Sequence, residues 1–433
     1  MEIIADLHLH GRFARGTSKA LDIPNLEKWA RVKGLNLLGT ADFTHPEWFN
    51  ELKNNLVKEQ DGIYYTKSGF AFMLQTEISL IYTQDGKGRR IHNLVYAPSF
   101  KTVQQITEYL KKHGRVDYDG RPIFKIPCDK FVYDLKNIDS RIEIVPAHIW
   151  TPWFSLLGSK SGFNRVRECF REQTRHIHAL ETGLSSDPAM NWRLSELDDY
   201  TLISNSDTHS FWPWKLGREC NVFEMDKLSY DNVIEIFKTR KGFKETLEFF
   251  PEEGKYHYDG HRNCGVIIKP ADAVDLNNIC PVCGKPLTVG VMHRVEELAD
   301  RPAGFKPENA VPFRSFMPLS ELIAGGIGVS VNAKKTWHIY NQLMQNFGNE
   351  MNVLRSVSEE KLKEVVNDKT LILIMKNRRQ EIEFRPGYDG EYGKPLFTED
   401  DKKSYKENIV RCRDVDKSAK IAAKKQKSLT DFK

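Results

Sequence analysis

The chain has 433 residues, of which 40% are hydrophobic and 28% charged, and it carries a formal net charge of +5. This length is sufficient for two or three domains with cores of their own. No run of about eighteen apolar residues is present, and Met1 leads directly into an apolar segment. We therefore expect a soluble, cytoplasmic protein with no membrane partner.

The seven cysteines and the basic residues are both unevenly distributed. Cys264, Cys280 and Cys283 cluster while the others are isolated, which is typical of metal binding in a reducing compartment rather than of a disulfide framework. Residues 411–433 include eight Lys or Arg and three Asp, so positive charge is concentrated in a tail. Such a tail suits nucleic acid, and a solvated terminus is the alternative.

The first ten residues predict a short apolar strand that ends in two histidines. Alternate side chains of a strand share a face, so His8 and His10 project the same way. Two neutral imidazoles on one face form half of a site for zinc, manganese or iron. A bare HxH also occurs on ordinary surface strands, but further apolar runs that end in similar residues favour a metal site.

Those further runs alternate with helical segments. A helix is predicted at 24–33, with a proline near its start and Gly34 after its end, and another at 100–113. Alternation of strands and helices predicts parallel pairing in an α/β barrel, whose chemistry takes place at the C-terminal strand ends. The predicted strands after the first are 35–42, 70–77, 90–97, 143–148, 176–181 and 201–207.

Eight His, Asp and Glu residues fall at or near the ends of these strands. Imidazoles mixed with carboxylates suit two or three divalent metals (zinc, manganese, magnesium or iron) a few ångströms apart. For any one residue a satisfied core histidine or a surface acid is an alternative, whereas the whole set is hard to obtain by chance. The predicted ligands are His8, His10, Asp42, Glu77, His92, His148, Asp207 and His209.

This region resembles the polymerase-and-histidinol-phosphatase (PHP) superfamily through DLHLH at 6–10, Glu77, HNL at 92–94, PAH at 146–148 and SDTHS at 206–210. The resemblance covers about residues 1–240 and implies a distorted (β/α)7 barrel that hydrolyses phosphoesters with two or three metals. Two positions depart from the family pattern. Arg15 replaces an acid or histidine, and Phe43 replaces the histidine of an Asp-His pair. Both positions are metal ligands in the family pattern, so the pattern is consistent with two bound metals as well as with three.

Three further stretches resemble the endonuclease Q family, whose members nick DNA on the 5′ side of deaminated bases and abasic sites. They are TSKALDIPNLEKWARVKGLNLLGTADFTHPEW (17–48), CPVCGKPLTVGVMHRVEELADRP (280–302) and PGYDGEYG (386–393). Their order extends the resemblance over nearly the whole chain. It implies a substrate of double-stranded DNA that contains a damaged base.

The segment around the clustered cysteines has the spacing of a zinc ribbon. Two pairs of ligand-type residues, each pair separated by two residues, flank fifteen others, and each pair presents two ligands to one structural zinc ion. A redox CxxC is the alternative, but such motifs open a helix in a thioredoxin-like unit. His257 and His293 compete with His261 for the fourth position. The predicted ligands are His261, Cys264, Cys280 and Cys283.

Two stretches in the C-terminal part of the chain are candidates for contact with DNA. The Gly-rich stretch 319–328 is similar to a helix-hairpin-helix element, although a helix C-cap explains its glycines equally well. The tyrosine-bearing loop 386–393 suits contact with an extruded nucleotide and bracing of a domain junction equally.

These assignments divide the chain into four expected segments. They are a PHP barrel (1–245), a zinc segment (246–305), a helical DNA-binding domain (306–410) and a flexible basic tail (411–433).

Aromatic residues follow two of the predicted metal ligands. An aromatic wall beside a hydrolytic metal site suits a flipped base, which needs surfaces for stacking, and ordinary core packing is the alternative. The candidate lesion-contacting residues are Trp150, Trp153, Asn191, Trp192, Phe211, Trp212 and Tyr388.

The last eight residues resemble a sliding-clamp (PCNA) interaction box, Q-x-x-h-x-x-aromatic-aromatic. Gln426, Leu429 and Phe432 occupy three of its positions, while Lys433 stands where a second aromatic residue belongs. The resemblance implies a sliding clamp as a partner, bound with moderate affinity by a terminal segment.

Together these features predict a DNA-repair endonuclease specific for uracil, hypoxanthine, xanthine and abasic sites. A metal-activated water is the expected nucleophile, and the expected products are a 3′-hydroxyl and a 5′-phosphate. The expected catalytic residues are His8, His10, Asp207 and Glu77, the last as a bridging carboxylate. A PHP phosphatase for histidinol phosphate or a nucleotide would leave roughly 190 residues unused. A zinc-bearing interaction protein with a degenerate barrel is the third possibility.

Overall fold

The computed structural model describes residues 1–405, which form two compact units. The first unit comprises Met1–Phe249 and Asp300–Glu381, and the second comprises Phe250–Ala299 and, of the described chain, residues 382–405. The four-segment division expected from the sequence stays a prediction. Among the helices of residues 1–405, none has the length and apolar composition needed to cross a lipid bilayer.

The strands and helices are numbered in chain order. Within residues 1–405 the strands are β1 (Glu2–Asp6), β2 (Leu37–Gly39), β3 (Leu56–Gln60), β4 (Ile63–Thr66), β5 (Ala71–Met73), β6 (Gln75–Gln84), β7 (Lys87–Tyr96), β8 (Ile123–Phe124), β9 (Glu143–Pro146), β10 (Ala179–Glu181), β11 (Thr201–Ile203), β12 (Cys220–Glu224), β13 (Phe243–Glu248), β14 (Asp259–His261), β15 (Val266–Ile268), β16 (Phe313–Ser315), β17 (Phe384–Arg385) and β18 (Lys394–Pro395). The α-helices are α1 (Ile23–Lys33), α2 (Pro46–Asn55), α3 (Phe100–Lys111), α4 (Cys128–Ile138), α5 (Val166–Phe170), α6 (Pro188–Asn191), α7 (Tyr230–Thr239), α8 (Pro270–Asp275), α9 (Val291–Leu298), α10 (Leu319–Ile327), α11 (Lys334–Phe347), α12 (Glu350–Arg355), α13 (Glu359–Lys363) and α14 (Asp368–Arg378). Short 3-10 helices span Arg171–His176, Ser195–Asp199, Pro251–Glu253 and Arg262–Cys264.

The strands of the first unit form two sheets and a separate pair. The larger sheet has the order β16-β13-β12-β1-β2-β5-β4-β3, the smaller has the order β8-β6-β7-β9, and β10 pairs with β11. Strands β1, β2 and β5 are parallel, as are β10 and β11. This arrangement, with the helices α10 to α14 after the strands, confirms the predicted α/β class with a C-terminal helical region.

The predicted parallel pairing holds for part of the barrel and was wrong for other strands. Strand β6 runs antiparallel to β7 over ten residue pairs, and β1 runs antiparallel to β12. The reason at β6 and β7 is the two-residue turn Asp85-Gly86, whose φ angles of 52° and 71° are those of a tight hairpin. The predicted strand 90–97 is therefore the returning arm of a hairpin.

The core of the first unit lies among these strands and under helix α7. Alternate residues of β1 (Ile3 and Ala5) point into it together with Leu7, and α7 covers it with Val233 and Phe237. Burial of each large apolar side chain stabilises the fold by about 1.5–3 kcal/mol. The strands thereby hold their C-terminal ends, and the residues that follow them, in fixed positions.

Helix α1 shows why the predicted helices form where they do. Asp22 accepts a hydrogen bond from the backbone N–H of Asn25, which caps the first turn. Gly34 ends the helix with a φ of 97°, and an added Cβ there would lie 2.6 Å from Oδ1 of Asn349. The position thus requires glycine both for its backbone conformation and for its close approach to the helical region.

Candidate metal centre

The segment that follows β1 carries the first two predicted ligands. It remains extended beyond Asp6, because the backbone N–H of His10 donates to the carbonyl of Thr208 at 3.0 Å. His8 and His10 therefore project to the same side, as the sequence predicted, and both are fully buried.

The first group of ligand atoms comprises Nε2 of His8, Nε2 of His10 and Oδ1 of Asp207. These atoms all lie within 4.8 Å of one another, and Oδ1 is 3.5 Å from His8 and 3.2 Å from His10. Within the described chain none of the three has a hydrogen-bond partner although all are buried. Buried polar atoms without partners are costly unless a cation satisfies them. The group therefore fits a divalent metal.

The second group comprises Glu77, His92 and His148. Oε1 of Glu77 lies 2.6 Å from Nδ1 of His92 and 3.1 Å from Nε2 of His148. Its other oxygen, Oε2, lies 3.2 Å from Nε2 of His10. The Glu77 carboxylate thus faces both groups, which is the position expected of a carboxylate that bridges two metals.

Asp42 and Glu181 lie behind the imidazoles. Nδ1 of His10 is 3.0 Å from Oδ1 of Asp42, whose other oxygen accepts from the backbone N–H of Gly11. Nδ1 of His8 is 3.0 Å from Glu181, which also accepts from the backbone N–H of His148 at 2.9 Å. Carboxylates in such positions orient metal-binding imidazoles. The structure thus places Asp42, predicted as a ligand, beside His10 and outside both ligand groups.

His209 also lies outside the two groups. Its ring centroid is 4.5 Å from that of His10, and its Nδ1 is 3.0 Å from the backbone carbonyl of Asp207. Two residues of the site were missed in the sequence, Glu181 and Arg121. Glu181 ends β10 and thus carried the same strand-end signal as the others, whereas Arg121 lies in a loop without a recognisable spacing.

The charges of the site follow from its burial and its ion pairs. Burial alone raises the pKa of Glu77, but the imidazole of His92 and the guanidinium of Arg121 hold this pKa well below its ordinary value. Burial also opposes ionisation of Asp207, but His8 and His10 lower its pKa below the ordinary range. Both carboxylates are therefore ionised at neutral pH.

The second unit contains a separate group of four ligand atoms, from His261, Cys264, Cys280 and Cys283. Nδ1 of His261 lies 3.4 Å from Sγ of Cys283. Of the two competing histidines, His293 is engaged with Asp259 at 2.6 Å, and His257 is buried with a pKa lowered by desolvation to about 4. The structure therefore brings together the four residues predicted for a zinc ribbon.

Comparison with known proteins identifies the chain's relatives. Residues 318–381 match the family model described as the MJ0043 C-terminal domain. The chain is 31% identical over 326 residues to the uncharacterized protein MJ0043 of Methanocaldococcus jannaschii, a match that covers 73% of this chain and 38% of that protein. It is 31% identical over 415 residues to the uncharacterized protein YqxK of Bacillus subtilis, covering 91% of this chain and 99% of YqxK.

Two crystal structures share the fold over almost their entire length. The lesion-specific endonuclease PfuEndoQ from Pyrococcus furiosus has a TM-score of 0.83 at 29% identity, covering 93% of this chain and 97% of PfuEndoQ. Endonuclease Q in complex with a 27-mer duplex that has an abasic lesion at the active site has a TM-score of 0.82 at 30% identity, covering 93% and 98%. The chain belongs to the endonuclease Q family. Both the resemblance seen in the sequence and the PHP-type fold with its helical region are confirmed.

In this endonuclease Q family member, several candidate lesion-contacting residues have structural contacts. Trp150 is buried and donates from Nε1 to Oδ1 of Asn191 at 2.8 Å, and Asn191 is itself buried. Trp192 packs edge-to-face against Phe313 at 5.5 Å. Trp153, in contrast, is 43% exposed.

Phe211 and Trp212 belong to a cluster of aromatic rings. Trp212 stacks on Trp214 at 5.2 Å and lies 6.1 Å from Trp337 of α11, and 39% of Trp212 is exposed. Trp29 of α1 completes the cluster, at 5.1 Å from Trp212.

The remaining candidates lie elsewhere. Tyr388 belongs to the second unit and is only 3% exposed, because its ring packs closely against Gly260. The exposed ring of that loop is Tyr392. The clamp-box residues Gln426, Leu429 and Phe432 lie outside the described residues.

Proposed function

We propose that this protein is a metal-dependent DNA-repair endonuclease that hydrolyses the phosphodiester bond on the 5′ side of uracil, hypoxanthine, xanthine and abasic sites. The observation that carries the proposal is the Glu77 carboxylate between two groups of ligand atoms, in a chain of the endonuclease Q family. A relative of 30% identity has been solved with an abasic duplex at its active site. The products are a 3′-hydroxyl and a 5′-phosphate, without a covalent intermediate.

The chain's own residues prepare the centre for this reaction. One divalent ion would be held by His8, His10 and Asp207 and a second by Glu77, His92 and His148. Bound at these residues, divalent metals would supply activation of a water molecule and stabilisation of the leaving oxygen. The carboxylates of Asp42 and Glu181 keep a proton on Nδ1 of His10 and His8, respectively. The Nε2 lone pair of each ring is thereby left free to bind a metal.

Recognition of the lesion requires rings that are accessible beside the metal centre. Trp153 and Trp212 are the candidates for this role, since each is partly exposed and each follows a predicted ligand within a few residues of the chain. An everted base would stack on such rings, which gives affinity without strict base specificity. Trp150 and Asn191 are buried and would instead support the loops that carry these rings.

The other parts of the chain supply folding and recruitment. A structural zinc bound by His261, Cys264, Cys280 and Cys283 would stabilise the second unit, because metal binding energy in such a segment is folding energy. The sequence of the tail would recruit a sliding clamp through Gln426, Leu429 and Phe432.

The decisive test uses end-labelled duplexes that each contain one uracil, hypoxanthine, xanthine or abasic site, with an undamaged duplex as control. The purified protein is incubated with Mg²⁺, Mn²⁺ or Zn²⁺, and the products are resolved on a sequencing gel. We expect one nick on the 5′ side of each lesion and none in the undamaged duplex. Phosphate release from histidinol phosphate or nucleotides, without nicking, would instead establish a PHP phosphatase.

A further inference from the structure

Within residues 1–405, the two positions that depart from the PHP pattern, Arg15 and Phe43, offer no metal ligand. Among the described residues, the ligand atoms of the barrel assemble into two groups. Phe43 is fully buried, and Arg15 points to Asp119 with 77% of its side chain exposed. His209, which lies outside the two groups, therefore has no second metal ligand from either of these positions.

A different cation lies at this centre. Nη1 of Arg121 donates to Oε2 of Glu77 at 3.0 Å, and 27% of the Arg121 side chain is exposed. Within residues 1–405, Glu77 is the hydrogen-bond acceptor that the guanidinium contacts, so its remaining N–H groups have no protein acceptor. A guanidinium offers five donors in a rigid fork.

The loop around Arg121 is held firmly in place. Oδ1 of Asp119 accepts from the backbone N–H of Arg121 at 3.1 Å and from that of Arg15 at 3.3 Å. Gly120 packs so closely against Asp42 that an added Cβ would clash with the Asp42 carboxylate. Arg121 thus has a fixed approach to the metal centre from one side.

The donors that Arg121 leaves unused beside the metal centre suit a second anionic group. The Glu77 carboxylate already lies between Arg121 and the two ligand groups, but it accepts from only one of the guanidinium nitrogens, so the other donors are available to a second negative group. A phosphodiester is such a group, and it gains negative charge on its nonbridging oxygens as the bond breaks. Planar forks such as that of Arg121 match phosphate oxygens in geometry as well as charge.

We infer that Arg121 is a catalytic residue that binds a nonbridging oxygen of the scissile phosphate, in place of a third metal. This inference rests on the proposed function, since it supposes a phosphodiester substrate. The alternative is that Arg121 is a positioning residue that only orients Glu77. The catalytic role and the positioning role predict different results for Arg121→Ala. Loss of a positioning residue would disturb Glu77 and lower the bound metal, and a free guanidinium ion would not restore the rate.

The test compares Arg121→Ala and Arg121→Lys with Arg115→Ala, a control in the same loop whose exposed side chain pairs with Asp117. Single-turnover rates are measured on an abasic duplex and on bis(4-nitrophenyl) phosphate, with and without millimolar guanidinium. Bound metal is counted by elemental analysis. We expect Arg121→Ala to lower the rate about 10²–10³-fold with unchanged metal content, and guanidinium to restore a part of it. Arg121→Lys keeps the positive charge but lacks the planar fork of donors, so its rate should lie between those of the wild-type protein and Arg121→Ala.

The outcomes separate the two proposals. A rate within about threefold of wild type in Arg121→Ala overturns the inference, as does loss of bound metal or absence of rescue. If the wild-type protein hydrolyses bis(4-nitrophenyl) phosphate but leaves lesion duplexes intact, the proposed function fails, and the same variant comparison on the small diester decides the role of Arg121. Failure of the wild-type protein on both substrates overturns both proposals.

Discussion

The ammonium group of Lys33 lies 2.7 Å from Oε1 of Glu350, and both side chains are excluded from solvent. Lys33 ends helix α1 of the barrel, whereas Glu350 begins helix α12 of the helical region, 317 residues away in the chain. Glu350 also accepts from the Tyr340 hydroxyl at 2.7 Å, and Lys33 donates to the carbonyl of Pro213 at 2.8 Å. One buried ion pair thus ties the helical region to the barrel and to the loop that follows His209.

Glu350→Gln is expected to destabilise the protein strongly. The substitution leaves the Lys33 ammonium buried without a counter-charge, which costs about 3–5 kcal/mol in the free energy of unfolding, measured by urea denaturation. Glu381→Gln, which breaks a half-exposed pair with Arg379, should cost less than about 1 kcal/mol. A loss of less than about 1 kcal/mol in Glu350→Gln would contradict this account. The double variant Lys33→Met, Glu350→Leu should recover part of the loss.

Substitutions in the metal centre should fall into two grades. Glu77→Ala and Asp207→Ala remove ligand atoms and should abolish nicking while binding of lesion DNA stays detectable, because binding also draws on phosphate contacts and stacking. Glu181→Gln keeps the ligands but weakens their orientation, and the expected loss is about 10–100-fold. Single-turnover nicking and fluorescence anisotropy measure the two properties, with Glu108→Ala on the exposed side of α3 as control. Near-wild-type cleavage by Glu77→Ala would move the chemistry elsewhere.

The zinc assignment can be tested on the histidines as well as on the cysteines. His261→Ala, Cys280→Ser and Cys283→Ser should each lower bound zinc by about one ion per chain and destabilise the second unit, since metal binding there is coupled to folding. His293→Ala and His257→Ala are matched controls that should keep the zinc, because neither belongs to the group of four ligand atoms. Elemental analysis gives the result, and unchanged zinc in both cysteine variants would refute the site.

The buried pair Glu219 and Glu248 should make stability depend on pH. Burial raises the pKa of Glu248 to about 8, and burial together with Glu248 raises that of Glu219. The native state therefore holds protons that the unfolded chain releases from about pH 4.5 upward. Stability should fall as pH rises through about 4.5–8, with a slope of up to about 1.4 kcal/mol per pH unit for one group.

Urea denaturation at pH 5, 6.5 and 8 measures this dependence. Glu248→Gln keeps a neutral amide where the protonated carboxyl lies and should flatten the pH dependence, whereas Glu235→Gln on the exposed side of α7 should leave it unchanged. An equal slope in wild type and Glu248→Gln would mean that the Glu248 carboxyl does not titrate in this window.

The clamp box predicts a separable function for the tail. Removal of residues 426–433 should leave nicking of short free duplexes unchanged and should end both stimulation by, and co-migration with, the cognate sliding clamp. Phe432→Ala should behave like the truncation, because the aromatic side chain is the anchor that enters the apolar pocket. Loss of nicking on short duplexes in the absence of the clamp would show instead that the tail contributes to DNA binding.

The sequence by itself determined the features that depend on local period and spacing. Alternation along a strand placed His8 and His10 on one face, and capping residues such as Asp22 and Gly34 marked the ends of α1. The spacing of the cysteines likewise predicted which four residues bring their ligand-type atoms together in the second unit. The Asp85-Gly86 turn also carried a readable hairpin signal, and it accounts for the antiparallel pairing of β6 with β7, one of the pairings that the general alternation rule predicted wrongly.

Tertiary structure alone decided the features that depend on distant partners. It placed Asp42 behind His10, brought Arg121 to Glu77, and buried Tyr388 against Gly260. Each outcome depends on which side chains are neighbours in the folded chain. The residue types alone do not specify those neighbours. Electrostatic and packing energies vary with distances of an ångström or two, and those distances are set by the sheet register and by contacts between segments far apart in the chain.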